Sequence, residues 1–207
     1  DPQGYRLKEP DLLPQKLWFT DANTCSQYRS RLLHSLGFPS MELTEGMKKN
    51  VLLMNRLCCG RVVKNLHEFP LHSSVQGMGL NFTLAVPGRD SFKSPLSQIA
   101  LFAFQDIVIA HHGAGLLLTL FMKSHGMVIE IFNYNIRGCP SSFATLSKKC
   151  GREHVQLVNK AGTTYRPGNC NGKNDKKDGT DDANVNLAKL GSVVQNFLQR
   201  QVNLQKT

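Results

Sequence analysis

The sequence predicts an α/β fold in which a Rossmann-like parallel sheet is covered by helices. Three observations carry that reading. Short runs of strand length, among them residues 51–54, 106–110 and 127–132, alternate with segments of helical periodicity. Several of these runs are apolar nearly throughout instead of at every second residue, as expected for parallel strands buried on both faces. The run Asp106–Ala110 also leads directly into His111-His112-Gly113-Ala114-Gly115, a glycine-bearing turn of the kind that joins a strand to a helix.

The elements follow in order. Residues 22–36 carry apolar side chains at helical spacing and stop at Gly37, a suitable C-terminal cap. Residues 39–50 read as a linker, and Val51-Leu52-Leu53-Met54 as a buried strand. The stretch 66–78 reads as helical but is weakened by Pro70 and Gly77. Residues 81–86 alternate as a strand before Pro87-Gly88. Ser94-Pro95 is an N-cap and first-turn pair that opens a helix over 94–104. A strand over 106–110, a short helix over 116–122 and a strand over 127–132 come next. A helix over 141–149 and a last strand over 154–158 complete the alternation. Residues 159–182, rich in Gly, Asn, Asp and Lys, read as a long loop or disordered insertion, after which helical periodicity returns. The domain reading is a helical N-terminal segment (1–49), a Rossmann-like unit (50–160), a polar loop (161–182) and a C-terminal helix (183–207).

Composition narrows the function classes. The 207 residues are 41% hydrophobic and 19% charged, an ordinary globular balance. The longest apolar stretch, 99–121, is interrupted by Gln105, Asp106, His111 and His112. A bilayer-spanning helix needs about 20 predominantly apolar residues, so this stretch does not supply one. The formal net charge is +10, and between Lys148 and Lys177 eight basic residues face two acidic ones. Tyr165 is the only aromatic ring in that segment, so the stacking platform of a single-strand nucleic-acid binder is missing and the charge reads as a solvated loop. Nucleic acid is therefore not an expected partner. Six cysteines form no Cys-x-x-Cys pair, which argues against a structural zinc site but permits disulfides. Asn81-Phe82-Thr83 is a glycosylation sequon inside an expected strand. Position 1 is Asp with no charged-then-apolar leader after it, so the chain reads as a fragment or processed product.

Four features stand out as chemistry-bearing. The turn His112–Gly115 lets the backbone approach a ligand, and the helix start behind it favours a phosphate. A tight turn with no ligand has the same sequence. Glu130 sits within an otherwise apolar strand, where an unpaired carboxylate is costly; it reads either as a ribose ligand at the strand end or as a strand-end acid that faces solvent or pairs with a lysine. Arg56 follows the strand 51–54, so a guanidinium falls on the carboxyl edge of the sheet, where it is able to grip a diphosphate bidentately. Arg61, Asn65 and Gln98 are supporting polar candidates.

Together these blocks resemble the family 61 glycosyltransferases, whose members include the EGF-domain O-GlcNAc transferase, a protein O-mannose GlcNAc transferase and plant xylosyl- and arabinosyltransferases. The likeness rests on Asn55-Arg56 followed by Arg61-Val62-Val63-Lys64-Asn65, and on Ser97-Gln98-Ile99-Ala100. It continues with Asp106-Ile107-Val108-Ile109 leading into His112-Gly113-Ala114-Gly115-Leu116, then Leu120-Phe121-Met122 and Val128-Ile129-Glu130-Ile131-Phe132. The chain departs from the family pattern at Cys58-Cys59-Gly60, at the doubled His111-His112 and at Lys123–Gly126.

The resemblance implies the C-terminal, donor-binding half of a GT-B enzyme that transfers a sugar, such as GlcNAc or xylose, from a UDP-sugar to a protein or glycan hydroxyl with inversion. It assigns the diphosphate to Arg56 and His112-Gly113-Ala114-Gly115, and the ribose to Glu130. It leaves the catalytic base open, with His111 and His112 the candidates in this chain. UDP-sugar is the implied co-substrate, with no tightly bound cofactor and no required metal. An amino-terminal domain of the same polypeptide, a type II membrane anchor upstream and a Golgi or endoplasmic-reticulum lumenal location are implied with it. Two other readings stay open: a non-catalytic nucleotide-binding module, and an NAD(P)-dependent oxidoreductase. The latter lacks a Gly-x-Gly-x-x-Gly after the first strand.

Overall fold

Strands β1 (Lys49–Met54), β2 (Leu80–Ala85), β3 (Ile107–His111), β4 (Met127–Phe132) and β5 (Glu153–Val158) pair in parallel in the spatial order β2-β1-β3-β4-β5. The structure is a computed structural model and describes residues 21–38, 48–55, 62–86, 94–132, 142–158 and 184–204. The helices are α1 (Ala22–Ser35), α2 (Pro95–Ala103), α3 (Ser142–Lys149) and α4 (Leu187–Leu204), with 3₁₀ segments at Leu66–Leu71 and Ala114–Phe121. This is the expected α/β architecture with a Rossmann-like sheet. The expected loop 159–182 and linker 39–47 lie outside the described residues.

The apolar runs form strands because both of their faces are covered. Val51, Leu53, Ile107, Ile109, Met127, Ile129, Ile131 and Leu157 pack with Leu66, Phe69, Val75, Leu190, Val194 and Phe197, so the first 3₁₀ segment and α4 cover one face. Leu52, Met54, Val108, Ala110 and Val128 pack with Phe102, Leu116, Met122 and Phe143, so α2, the second 3₁₀ segment and α3 cover the other. Every residue of β3 and β4 is buried. The C-terminal helix is thus part of the core of the sheet.

Local signals account for most boundaries. Ser94 accepts from the Ser97 amide, the Ser97 hydroxyl accepts from the Ser94 amide, and Pro95 opens α2. Asp21 caps α1 by accepting from Thr24 N at 2.8 Å, and Gly37 follows its last turn with φ of 79°. The expected helix over 66–78 shortens to a 3₁₀ turn ending at Leu71, because Pro70 lacks an amide donor and Gly77 and Gly79 take positive φ. The expected helix over 116–122 is likewise 3₁₀ and begins earlier, at Ala114. Asn81 lies on edge strand β2 and is exposed, with its amide nitrogen donating to Asn50 Oδ1 at 3.3 Å.

Two devices pin the outer layer. Asp106, at the amino edge of the sheet, accepts from Asn50 N at 2.9 Å and from Lys123 Nζ at 3.0 Å, joining β1 to the turns before β3 and β4. On the helical layer, Arg29 Nε donates to Phe121 O at 2.8 Å and its Nη2 to Ala103 O at 3.0 Å. Arg152 donates to the carbonyls of Leu120, Met122 and Lys123. Burial, with the Arg29 charge beside it, pushes the Arg152 guanidinium pKa down to about 9. A disulfide between Cys25 and Cys150 ties α1 to the end of α3 across 125 residues of sequence. Among the described residues no helix is long and apolar enough to cross a membrane.

A cross-link over so long a loop constrains the unfolded chain strongly. Cys25→Ser or reduction of the disulfide is expected to lower unfolding stability by about 2–5 kcal/mol, measured by urea denaturation with and without reductant. Peptide mapping under non-reducing conditions checks the pairing itself.

Candidate functional site

The strand order reverses direction between β1 and β3. In an open parallel α/β sheet the space beyond the carboxyl ends of the two strands at such a point is the natural ligand crevice. β1 ends there at Met54 and β3 at His111, so the loops leaving them are the first places to look.

The loop after β1 is clipped at its base. Asn55 N donates to Ala85 O at 3.0 Å, carrying the chain one step past the β1–β2 pairing. Its side-chain amide then brackets Val63: Nδ2 donates to Val63 O at 2.8 Å and Oδ1 accepts from Val63 N at 2.9 Å. Arg56 and Arg61 belong to the segment between these anchors and lie outside the described residues. Asn65 makes the same kind of bracket elsewhere, donating to Val185 O at 2.8 Å and accepting from Val185 N at 2.9 Å. It fastens the lead into α4 to the first 3₁₀ segment, and this bracket is a structural role. Gln98 is half-buried in the first turn of α2, where its backbone amide donates to Ser94 O at 3.1 Å.

The loop after β3 is the turn expected to bind phosphate. His112 N donates to Ile131 O at 2.9 Å, extending the β3–β4 ladder by one residue. Gly113 is buried in extended backbone, and Leu116 N donates to Gly113 O at 3.0 Å to open the 3₁₀ segment. The first amides of such a segment have no acceptor within it. Gly115 sits directly over the end of β1: a Cβ there would lie 2.9 Å from Met54 Cε. The turn and the start of the Arg56 loop are therefore neighbours.

Behind the turn lies an arrangement that reading the residues one at a time does not reveal. Glu130 is fully buried, and the register pairs it with Ala110 on β3 and Gln156 on β5. Its diagonal neighbours on the same face are His112, two residues past Ala110, and His154, two residues before Gln156. His112 Nδ1 lies 2.5 Å from Glu130 Oε1, and His154 Nε2 lies 2.9 Å from Glu130 Oε2, off the hydrogen-bond line. The His112 ring stacks on Phe132 with centroids 4.8 Å apart and meets the edge of Phe143 at 5.6 Å. The exposure falls outward, with 28% of the His112 side chain accessible against 8% for His154 and none for Glu130.

The sequence-predicted residues thus sort into groups. His112, Gly113, Ala114 and Gly115 come together at the crevice. His111 is buried, with its Nδ1 3.0 Å from the His112 carbonyl oxygen, so of the two candidate bases only His112 is partly open. Glu130, the residue expected to hold the ribose, lies beneath His112 with no exposed side chain, and the His112 and His154 imidazoles stand 2.5 and 2.9 Å from its two oxygens. His154 was not singled out. Its signal was present in the parity of the strands, which puts positions 112, 130 and 154 on one face. Among the described residues no group of His, Cys, Asp and Glu is arranged to hold a metal ion.

No protein-family model matches the chain, and no curated protein matches it. Among solved structures the chain is similar to a glycerate dehydrogenase-related protein from Thermoplasma acidophilum, at 11% identity and a TM-score of 0.35. The similarity covers 84% of this chain and 65% of that one, so this chain spans less than two thirds of that protein's length.

The Asn55 bracket ties the end of β1 to Val63. Asn55→Ala leaves both backbone groups of Val63 without the side-chain partner. It is expected to cost about 2–3 kcal/mol and to speed hydrogen exchange at the Val63 amide, measured by urea unfolding and by NMR exchange.

Proposed function

We propose that this chain is the donor-binding portion of an inverting glycosyltransferase that uses a UDP-sugar. The observation that carries the reading is the position of His112–Gly115. This turn stands at the reversal point of the sheet and touches the end of β1, from which the Arg56 loop departs. The family resemblance links Arg56 and this turn to one diphosphate, and the end of β1 at Met54, two residues before Arg56, lies beside the turn.

The chemistry follows from charge. Displacing a nucleoside diphosphate from an anomeric carbon develops negative charge on the leaving phosphate. Fixed donors aimed at that position lower the barrier because they need no reorganisation when the charge appears. Arg56 supplies a guanidinium that is always charged and suited to a bidentate grip. The turn supplies backbone amides and the positive end of the segment that follows. On this reading the site does its work without a metal. The acceptor side, a protein or glycan hydroxyl, belongs to a second domain of the GT-B type. The disulfide between Cys25 and Cys150 favours an oxidising compartment such as the Golgi or endoplasmic-reticulum lumen.

An NAD(P)-dependent reading has less support, because the chain leaving β1 runs Asn55-Arg56-Leu57-Cys58-Cys59-Gly60-Arg61, without the spaced glycines that let a dinucleotide pyrophosphate approach. Isothermal titration with UDP is the direct test. Saturable binding is expected, weakened about 10- to 100-fold in Arg56→Ala, diminished in Gly113→Val and unchanged by EDTA. NADH binding with no response to UDP overturns the proposal. UDP binding with no transfer from any UDP-sugar by the full-length protein favours the non-catalytic module instead.

A further inference from the structure

We propose that Glu130 is a positioning residue that holds His112 with its proton on Nδ1, leaving Nε2 as the proton-accepting atom of the site. The inference rests on the glycosyltransferase reading for the identity of the hydroxyl, but not for the dyad itself.

The argument begins with cost. A carboxylate with no solvent exposure is tolerated only where hydrogen-bond donors replace water. Glu130 Oε1 has His112 Nδ1 as a hydrogen-bond partner at 2.5 Å, while His154 Nε2 stands 2.9 Å from Oε2 without hydrogen-bond geometry. An ionised carboxylate only accepts, so the His112 nitrogen facing it must carry the hydrogen. Nδ1 protonation of a neutral imidazole makes Nε2 the lone-pair nitrogen.

The ring is also held in place. Phe132 stacks on it and Phe143 meets it edge-on, while the backbone amide of His112 is fixed to Ile131 O. The ring edge across from Nδ1, which carries Nε2, is therefore the part of the side chain farthest from the buried carboxylate. It lies at the residue that begins the phosphate-binding turn.

This geometry suits direct inversion. His112 Nε2 takes the proton of the acceptor hydroxyl as the hydroxyl oxygen bonds to the anomeric carbon. The bond from that carbon to the phosphate oxygen breaks, and its electron pair leaves with the nucleoside diphosphate. The imidazolium formed is stabilised by the adjacent carboxylate and returns its proton to solvent. Glu130 is not protonated in the cycle.

The test combines a spectroscopic readout with kinetics. In the ¹⁵N-labelled chain, at a pH where His112 is neutral, its Nδ1 is expected to be protonated and its Nε2 not. Glu130→Met removes the acceptor at similar volume, and His112 is expected to revert to the Nε2–H form favoured by free imidazole. UDP affinity should change by no more than about twofold, because Glu130 does not touch the donor. In the full-length enzyme, Glu130→Gln keeps the shape but not the charge. It is expected to lower kcat by about 100-fold or more with the KM for the sugar donor unchanged.

An Nε2–H tautomer in the unaltered chain, or a tautomer unmoved by Glu130→Met, overturns the inference. So does a rise in donor KM with kcat intact, which would make His112 a phosphate donor. Loss of the tautomer with UDP binding intact in the unaltered chain sinks this inference alone. An intact dyad in a chain that ignores UDP sinks the functional proposal instead.

Discussion

A carboxylate buried between two imidazoles organises the carboxyl edge of this sheet. Glu130 occupies the centre of a strand that is buried along its whole length, where water is not available to solvate a charge. His112 at the end of β3 meets its Oε1 as a hydrogen-bond partner, and His154 of β5 stands 2.9 Å from its Oε2, so three adjacent strands place polar groups together inside an apolar layer. Breaking such an arrangement from one side costs more than its net contribution to stability, because the charge left behind is uncompensated. That asymmetry makes the turn at His112 stiff even though a loop follows it.

The opposite edge uses similar chemistry for a different purpose. Asp106 is also nearly buried, but its partners are the Asn50 amide and two lysines, Lys49 and Lys123. Long flexible ammonium groups neutralise a charge without fixing a ring or a tautomer. At the amino edge of a parallel sheet that is sufficient, since only the strand ends need to be held together. At the carboxyl edge a planar imidazole with two distinct nitrogens replaces the lysine. The arrangement then carries directional information as well as charge.

Most of the fold was legible because burial on both faces leaves a plain mark. Continuous apolar runs such as Ile107–Ala110 and Met127–Phe132 have few other structural uses, and Ser94-Pro95 and Gly37 punctuate helices for local reasons. The 3₁₀ segments were harder to read, since their residues carry the same apolar spacing as an α-turn and differ in which carbonyls are engaged. For Ala114–Phe121 those carbonyls are held from outside by Arg29 and Arg152, residues distant in sequence. At the site, His112, Glu130 and the glycine turn were visible one at a time. Their mutual contact was not, because it depends on strand order and register. Once β3, β4 and β5 are neighbours with Ala110 opposite Glu130 and Glu130 opposite Gln156, the meeting of positions 112, 130 and 154 follows from parity alone.

Charge gives the sharpest case of placement deciding meaning. Arg152 counts among the basic residues of 148–177, a segment that reads as a solvated loop. Its guanidinium instead lies inside, donating to three carbonyls beside a second buried arginine, with no carboxylate among its hydrogen-bond partners in the described residues. Backbone carbonyls at the end of a helical segment carry partial negative charge, enough to accept a cation that sequence counting assigns to the surface. The 3₁₀ segment they terminate begins at Ala114, capped by Gly113 in the proposed phosphate turn. The same short element receives cations at its carboxyl end from within the fold, and on the proposed reading its amino end faces the donor's diphosphate. A segment held this way at its far end keeps its opening amides in place before a ligand arrives, which is the condition for preorganised donors to stabilise a departing phosphate.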